Sequence, residues 1–452
     1  MKVKAISTIL IILFGTCVLT LSSVPFVGAD PEIRIYKSTQ LMGDVYDTVR
    51  IMDSDDPIVL DLGGNSIISD GHSYGIIIIG KTDVTIMNGV VTGFSHGIHI
   101  DDCERITINE IDAHSNYFYG IVMARSSSCT ISDNTVSDNG DGITVHHSND
   151  ITVSGNIATQ NDITGINLNY NTGLTVSDNS AFDNGRIGIA LYETNGVSPP
   201  TTVIGNEVIN NGEWGIRPYL CEDLIISDNM VDLHAKDGIW LYSSDRCTVS
   251  DNWIKNSDWR GILLTSDSDN NKIYDNNIID NTIQAYDFGI ENAWNNSWPS
   301  GGNYWSDYTG VDQFSGKYQT DPDSDGFGDT PYSVLVGSGQ PPRYDYYPLM
   351  GPHISTEEDI EEYLEYVNDI VVDLPDEIFI SQDGVDISNT KTALEELLLT
   401  DSLPEIEDGV YEEAVDHLED AKDTMCDTLV ESEEKQELFD LINNLIEYLL
   451  SL

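Results

Sequence analysis

The chain has 452 residues with 20 basic and 77 acidic side chains, and 20 − 77 gives a formal net charge of −57. This charge excludes a nucleic-acid binder that works through phosphate contacts, which needs basic patches, and disfavours an anionic membrane surface as partner. It is typical of a salt-adapted or extracellular surface, and salt adaptation is favoured because the Debye length falls to about 3 Å near 1 M salt, which screens self-repulsion. The hydrophobic share of 40% is enough for a folded core.

The N-terminus has the pattern of an export signal. Lys2 and Lys4 precede an apolar run that ends near Leu21, and small residues at 27–29 offer a cleavage site. The sequence therefore predicts a signal peptide over residues 1–29, with a retained membrane anchor as the alternative. The mature protein is expected to be secreted or on the cell surface. No later stretch reaches the roughly 20 apolar residues that span a bilayer, so no membrane span is expected in the mature chain.

An internal repeat fills the middle of the chain. Each unit has a glycine whose +1 and +3 neighbours are apolar, whereas +2 and +4 are mostly polar or aromatic. This period of two predicts strands with one face turned inward. The glycines recur every 22 to 27 residues, at Gly75, Gly97, Gly120, Gly142, Gly165, Gly188, Gly215, Gly238 and Gly261. Repeats of this size indicate stacked supersecondary units.

Two columns of asparagine follow the same period. Asparagine tolerates the left-handed backbone of tight turns, and its amide can hydrogen-bond the equivalent residue one lap away. The first column is Asn134, Asn156, Asn179, Asn206, Asn229, Asn252 and Asn276, and the second is Asn139, Asn161, Asn184, Asn211 and Asn281. The Leu-x-x-Leu-x-Leu pattern of leucine-rich repeats is absent. The sequence therefore predicts a mainly β chain, a parallel β-helix of about nine to eleven rungs.

These rungs resemble a known family. The Gly-Ile-x-[Ile/Val/Leu] and Ser-Asp-Asn units look like the right-handed parallel β-helix repeats of the NosD-type family, and residues 60–68 resemble its N-terminal opening. Residues 302–308 and 346–350 resemble the segment that follows the helix in archaeal surface members. The similarity covers roughly residues 58–350. It implies a place among β-helix proteins that bind or cleave carbohydrates.

The family is named for a periplasmic accessory of copper-enzyme maturation, so a copper-related accessory role is an alternative function. However, the nine histidines are scattered over different rungs, and no His/Met/Cys cluster has the spacing of metal ligands. The sequence therefore gives no reason to expect a copper site.

The composition shifts along the chain and predicts five segments. A signal peptide (1–29) precedes an N-terminal cap with the first rungs (30–74), the β-helix repeats (75–293), a Trp/Tyr-rich segment (294–352) and an acidic helical domain (353–452). The last segment has 31 acidic and 3 basic residues, and 3 − 31 gives −28. Its apolar residues have helical spacing. They either pack on one another or bind a protein partner or the cell surface.

Four cysteines form two pairs with the same spacing. Cys103 and Cys129 are 26 residues apart, as are Cys221 and Cys247, and each pair occupies neighbouring rungs. Neighbouring strands lie about 4.8 Å apart, which a disulfide accepts. The sequence predicts disulfides Cys103–Cys129 and Cys221–Cys247, with free buried thiols as the alternative.

The outward positions of one sheet become aromatic in the later rungs. Exposed rings beside polar groups are typical of binding surfaces, and they suit sugars with C–H faces and hydroxyls. We therefore expect a polysaccharide or cell-surface glycan as partner, and the alternative is a surface covered by loops or by the C-terminal domain. The candidate residues are His146, Tyr192, Trp214, Arg217, Tyr219, Trp240 and Tyr242.

Two carboxylates raise the question of catalysis. Glu213 and Asp237 lie just before successive repeat glycines, so one rung spacing would bring them near the separations that glycosidases use. Chance pairs are common among 77 acidic residues, and the net charge repels the uronic-acid polymers on which lyases and epimerases act. A non-catalytic surface protein is thus the first hypothesis. A polysaccharide hydrolase, lyase or epimerase is the second, and a purely structural envelope component is the third.

A loop after the repeats has the spacing of a calcium site. Asp321, Asp323, Asp325 and Asp329 occupy positions 1, 3, 5 and 9, and a glycine occupies position 6. Alternate residues of a turning loop can converge the oxygen ligands that Ca²⁺ needs. Position 12 is Tyr332 in place of the glutamate of an EF-hand. The sequence thus predicts a Ca²⁺ loop of the kind found in secreted proteins, against a merely solvated acidic turn.

Overall fold

A computed structural model describes residues 17–19, 32–69, 73–196, 199–354, 358–373, 394, 397–398, 402, 411–428 and 433–449. The predicted signal peptide lies outside these residues except for Cys17–Leu19, a short strand. The fold is mainly β, a parallel β-helix of about eleven turns, which confirms the predicted class. The described chain divides into two compact units. The first holds residues up to 296 with 305–307 and 332–345, and the second holds 297–304, 308–331 and the residues from 346 onward.

One side of the coil is a 14-stranded sheet in which successive rungs pair in parallel. Its last two strands pair antiparallel with each other. Its strands are Glu32–Ile35, Thr48–Ile51, Tyr74–Ile79, His96–Asp101, Tyr119–Ala124, Asp141–His146, Thr164–Asn169, Ile187–Tyr192, Trp214–Tyr219, Asp237–Leu241, Arg260–Leu264, Ile283–Asp287, Tyr332–Val336 and Arg343–Asp345.

The remaining sides belong to a second, larger parallel sheet. Its strands are Cys17–Leu19, Thr39–Leu41, Ile58–Asp61, Ser66–Ile68, Thr82–Thr92, Glu104–His114, Ser127–Ser132, Thr135–Ser137, Asn149–Ser154, Ile157–Thr159, Thr172–Ser177, Ser180–Phe182, Thr201–Ile204, Glu207–Ile209, Leu224–Ser227, Met230–Asp232, Thr248–Ser250, Trp253–Lys255, Lys272–Tyr274 and Asn277–Ile279. Further short strands are Tyr304–Trp305, Phe314–Ser315 and Asp321–Pro322.

The repeat glycines and the apolar residues after them build the interior. The +1 and +3 side chains point inward and are almost fully buried, as at Ile143 and Val145. The glycine itself leaves room for the next rung. A Cβ on Gly142 would lie 2.5 Å from the carbonyl oxygen of Gly165 and 2.9 Å from Nδ2 of Asn161. The repeated glycine is therefore a packing requirement of the coil.

Both asparagine columns form buried hydrogen-bonded files at the turns. Asn156 is typical: its Nδ2 donates to Oδ1 of Asn179 at 2.9 Å, and its Oδ1 accepts from the backbone N–H of Asn134 at 3.1 Å. The second column runs in the same way from Asn116 through Asn211. These files satisfy buried backbone groups at each turn, and they confirm that equivalent residues stack from lap to lap.

A histidine replaces asparagine at one position of the second column. His234 is fully buried, its Nδ1 accepts the backbone N–H of Asn211 at 3.2 Å, and its Nε2 lies 3.0 Å from the carbonyl oxygen of Val208. The ring thus supplies one acceptor and one donor, as the amide does in other rungs. Burial lowers the pKa of His234 to about 4.

The two predicted disulfides are not formed: all four cysteines are free, buried thiols. The reason is register. Cys103 aligns with Ser126, whose Oγ accepts its backbone N–H, whereas Cys129 aligns with Ile106. In the second pair of rungs, Thr248 pairs with Ile225. The residues before them, Cys247 and Leu224, therefore align with one another, and Cys247 does not align with Cys221. Each predicted pair thus lies in neighbouring rungs but three positions apart along the strand. Burial raises the pKa of all four thiols, to about 11 for Cys129.

The described part of the second unit includes the helices α1 (Glu358–Asp373), α2 (Tyr411–Thr428) and α3 (Glu433–Leu449). Their apolar stripes are buried, and the hydroxyl of Tyr363 on α1 donates to the carbonyl oxygen of Leu441 on α3 at 2.9 Å. These positions match the predicted helical spacing. Among the described helices, none has the length and apolar character needed to cross a membrane.

Candidate functional site

The predicted site residues lie in three outward files of the 14-stranded sheet. Counted from each repeat glycine, the files are the residue before the glycine and the residues at +2 and +4. In the later rungs these files carry rings and one guanidinium, which together we call the aromatic face: Tyr192, Trp214, Arg217, Tyr219, Trp240 and Tyr242.

Three tyrosines of the aromatic face form a stack along the coil. The ring centroids of Tyr192 and Tyr219 are 5.0 Å apart, and those of Tyr219 and Tyr242 are 4.6 Å apart with an interplanar angle of 8°. Because the faces cover one another, the rings present their edges and hydroxyls outward. The hydroxyls of Tyr219 and Tyr242 have no hydrogen-bond partner among the described residues. The stack is therefore a rigid row of phenols, one per rung.

Two tryptophans lie beside this stack. Trp214 and Trp240 have ring centroids 4.7 Å apart, and Trp240 meets Tyr242 edge to face at 5.4 Å. Trp214 is only 9% exposed, whereas Trp240 is half-buried. Nε1 of Trp240 is shielded from water and has no acceptor within the described part of the chain. A buried donor without a partner costs about 1–3 kcal/mol. The indole N–H of Trp240 is such a donor on the aromatic face.

Arg217 lies beside the rings. Its guanidinium carbon is 4.7 Å from the Trp214 centroid, 4.6 Å from that of Trp240 and 5.4 Å from that of Tyr219. Its Nε is buried and has no hydrogen-bond partner among the described residues. Burial, followed by repulsion from Arg186, lowers the pKa of Arg217 from its ordinary value. Arg217 is thus held by cation–π contacts alone.

Glu213 lies between two cations of adjacent rungs. Its Oε2 is 3.2 Å from Nη2 of Arg186 and 3.3 Å from Nζ of Lys236. Partial burial raises the pKa of Glu213, but the two hydrogen-bonded cations outweigh it and hold the pKa below its ordinary value. Both cations also reach the Trp214 ring, Lys236 Nζ at 4.4 Å from its centroid. Glu213 therefore positions two cations around Trp214.

Asp237 is 2% exposed and anchors the opposite edge of Trp214. Its Oδ2 accepts the indole N–H of Trp214 at 3.2 Å, and its Oδ1 accepts Nε of Arg260 at 2.6 Å. Burial raises the pKa of Asp237, and the charge of Arg260 opposes this rise. Both predicted catalytic carboxylates are therefore engaged in ion pairs. Catalysis by Glu213 and Asp237 stays a prediction.

His146, also predicted for this site, lies elsewhere on the same file. Asn169 separates it from Tyr192, so it is two rungs away from the tyrosine stack. Burial, followed by repulsion from His147, lowers the pKa of His146. The structure does not bring His146 into contact with the aromatic face.

Two cations at this site did not emerge from the sequence alone: Arg186 and Lys236. A signal was present, because Arg186, Glu213 and Lys236 each lie two residues before a repeat glycine. This position places them in one file, with charges that alternate in sign from rung to rung.

The four aspartates of the predicted calcium loop are dispersed. Asp325 accepts the backbone N–H of Gly316 at 2.8 Å, and Asp329 accepts the backbone N–H of Gln313 at 3.0 Å. Asp321 and Asp323 are exposed. No three of these four described carboxylates have ligand oxygens within 4.8 Å of one another. Asp312, which sequence reasoning missed, accepts the backbone N–H of Gly326 at 2.8 Å. Calcium binding by this loop stays a prediction.

The stacked parallel rungs and the ring-lined outer sheet define a β-helix protein with a candidate binding face. The family model described as "Periplasmic copper-binding protein (NosD)" matches residues 61–218 and 196–310, together more than half of the chain. The chain belongs to this family. A search of curated proteins found no match.

Several solved structures share the fold at low identity. The A-module of the Azotobacter vinelandii mannuronan C-5 epimerase AlgE4 is 18% identical, with a TM-score of 0.41 over 58% of this chain and 82% of that chain. The periplasmic alginate epimerase AlgG is 13% identical, with a TM-score of 0.48 over 58% and 76%. PfbA, a surface adhesin of Streptococcus pneumoniae, is 11% identical, with a TM-score of 0.29 over 59% and 82%. Likeness at this level does not extend to activity.

The family description makes copper the metal to consider. Protein copper sites draw on imidazole, thiolate and thioether ligands. Among the described residues, no three histidines or cysteines bring their ligand atoms within 4.8 Å of one another. His96 and His99 have unpartnered, buried Nδ1 atoms, but their ring centroids are 6.1 Å apart and Tyr74 packs 5.0 Å from each. These residues do not fit a copper site.

Proposed function

We propose that the protein is an exported β-helix protein that binds a glycan on its aromatic face without cleaving it. The observation that carries the proposal is the row of outward phenols at Tyr219 and Tyr242 beside the half-buried indole of Trp240. Sugars offer hydroxyls that pair with phenolic O–H groups and C–H faces that pack on indoles.

Rigidity supports a binding role for this face. Side chains stacked on one another and held by Asp237 have already lost most of their rotamer freedom, so little more is lost when a ligand binds. Because the rungs repeat along the coil, the face is long in one direction and suits an extended chain of sugars. Tyr192, Tyr219 and Tyr242 supply one ring per rung along this direction.

Export is part of the proposal. The N-terminal basic and apolar pattern supports it, and so does the word "periplasmic" in the family's description. The net charge of −57 suits a surface that works in salt. Attachment of a protein partner or of the cell surface through α1, α2 and α3 stays a prediction, since their apolar stripes pack within the described helices.

A glycan array followed by calorimetry with the best oligosaccharide tests the proposal. We expect Trp240→Ala and the double variant Tyr219→Ala/Tyr242→Ala to lose at least about ten-fold in affinity, since each removes ring contacts of roughly 1.4 kcal/mol or more. Tyr117→Ala is the matched control, because Tyr117 is a 76% exposed ring outside the aromatic face. Equal affinities of the wild type and the aromatic-face variants would refute glycan binding at this face.

The enzyme alternative has its own test. Polysaccharides incubated with the protein should yield neither new reducing ends nor unsaturated sugars if the role is binding alone. Product that forms with the wild type and is lost in Glu213→Gln or Asp237→Asn would establish the alternative.

A further inference from the structure

We propose that the aromatic face selects an anionic sugar, a uronic-acid residue whose carboxylate is bound by Arg217. This inference rests on the proposed function and names the class of glycan. It comes from the surroundings of Arg217, which differ from those of the other arginines.

Arg217 is the exception among the arginines. The sequence has nine arginines, and all nine lie in described segments. Eight form an ion pair with a carboxylate within 4.0 Å: Arg34, Arg50, Arg105, Arg125, Arg186, Arg246, Arg260 and Arg343. In a chain with 77 acidic residues, an arginine without a carboxylate partner is conspicuous. Arg217 thus carries a positive charge without a carboxylate partner among the described residues, on the face where a ligand would lie.

The rings around Arg217 strengthen an ionic contact there. Trp214 and Trp240, whose centroids are 4.7 Å apart, both lie against the guanidinium within 4.7 Å of its carbon, and the Nε of Arg217 is buried. A charge-assisted hydrogen bond in such a low-dielectric setting is stronger than one in water. The rings also hold the guanidinium plane in place. Arg217 therefore loses little side-chain freedom when an anion binds.

Local charge favours an anion in spite of the net charge of the chain. The cations Arg186, Arg217 and Lys236 lie over the Trp214 ring, and Arg260 pairs with Asp237, which accepts the Trp214 indole N–H. Glu213 pairs with Arg186 and Lys236, and Asp237 pairs with Arg260, so Arg217 is the cation of this group without a carboxylate within ion-pair distance among the described residues. The chain total is −57. At contact the guanidinium of Arg217 attracts a carboxylate, although the chain as a whole repels an acidic polymer at long range.

The proposal commits to a carboxylate, and a sulfate is the competing anion that the test separates from it. A guanidinium presents its N–H donors in a planar fork that matches a planar carboxylate in two parallel hydrogen bonds. The tyrosine hydroxyls one file away then pair with ring hydroxyls of the same sugar. A uronic acid offers both groups on one residue, which is why it is the class proposed.

Calorimetry with three size-matched probes tests the proposal: a hexamer of galacturonic acid, the neutral galactose hexamer and a sulfated galactose hexamer. We expect the wild type to bind the galacturonic-acid hexamer at least about ten-fold tighter than the neutral one, since a hydrogen bond to a charged group is stronger than one between neutral groups. In Arg217→Gln the ratio of the two affinities should fall to about one. Arg217→Lys, which keeps the charge and loses the fork, should retain only part of the preference.

Arg105→Gln is the control, because Arg105 is an exposed, ion-paired arginine on the second sheet. It should leave both affinities unchanged. A wild type that binds neutral and acidic hexamers equally, or an Arg217→Gln variant that keeps the preference, would overturn the inference and leave glycan binding intact. Tighter binding of the sulfated hexamer would also overturn the assignment to a carboxylate. If no probe and no array glycan binds, the proposed function itself fails.

Discussion

The indole N–H of Trp214 donates to Asp237 across one rung, with Nε1 3.2 Å from Oδ2. The other oxygen of that carboxylate is bound by Arg260 at 2.6 Å, and both ends of this ion pair are withdrawn from water. A buried carboxylate thus fixes one ring of the aromatic face. Asp237 therefore links the stability of this rung to the proposed binding face.

We expect Asp237→Ala to lower the free energy of unfolding by about 3–5 kcal/mol, because Arg260 would keep a buried charge without its partner. Asp237→Asn keeps an acceptor for the indole and should cost less. Urea unfolding measures both. Asp258→Asn, an exposed aspartate nearby, should change stability by less than about 0.5 kcal/mol. An Asp237→Ala variant as stable as Asp258→Asn would contradict the role given to the ion pair.

His234 predicts how stability depends on pH. Burial lowers its pKa from the ordinary 6.5 to about 4, so between these values the unfolded chain binds a proton that the folded chain does not. The contribution is therefore fully present above about pH 6.5 and is lost as the pH falls towards 4. The shift corresponds to about 3 kcal/mol. Denaturant unfolding at several pH values from 7 to 4 measures this loss.

His234→Asn is the informative variant, because asparagine occupies the same position at Asn211 and Asn184. It should restore the amide file and remove the part of the pH dependence that belongs to the histidine. Wild-type and variant stability curves that run parallel between pH 6.5 and 4 would show that His234 does not titrate as inferred.

The asparagine files predict a large penalty for a single buried amide. Asn156 donates to the carbonyl oxygen of Ile131 and to Oδ1 of Asn179, and it accepts from Asn134. Asn156→Ala leaves these buried groups without partners and should cost about 3 kcal/mol. Asn149→Ala, at an exposed position, should cost little. Thermal or urea unfolding of both variants measures the loss in the free energy of unfolding. Equal losses would mean that the asparagine file does not contribute to stability.

The repeat made the coil predictable, since a lap of constant length returns each residue type to the same environment. Gly142 and Asn161 recur because one leaves room for the amide of the other. The same arithmetic explains the error over the cysteines. A spacing of 26 exceeds a lap of 23 by 3, so Cys103 reaches position 126, and Cys129 lies in a different file.

Contacts between neighbouring files were harder to predict. The sequence indicated an aromatic surface but not that Arg186 and Lys236 would lie around Trp214, because that depends on side-chain direction as well as on register. The loop at 321–329 has no repeat to fix its backbone, so the spacing of its aspartates did not predict which of them would bind backbone N–H groups.

Calcium binding by that loop can be tested directly. Titration of Ca²⁺ into the chelator-treated protein should show a weak site, with Kd on the order of 10⁻⁴–10⁻³ M as for extracellular modules. Asp323→Asn should weaken it, because Asp323 is exposed and its carboxylate accepts one backbone N–H, that of Ser324, among the described residues. Asp138→Asn on the β-helix should not. Absence of calcium-dependent heat in the wild type would refute the site.

Salt should affect association with an acidic glycan in an unusual direction. The net charge of −57 repels an anionic chain at long range, whereas Arg217 attracts its carboxylate at contact. Raising the ionic strength from about 0.01 M to about 0.15 M shortens the Debye length from roughly 30 Å to roughly 8 Å, which screens the repulsion more than the contact. We therefore expect the association rate of a galacturonic-acid hexamer to rise with salt, while that of the neutral hexamer stays constant. Stopped-flow measurements with both probes test this, and a rate that falls with salt would mean that the chain presents no net repulsion on the approach to the aromatic face.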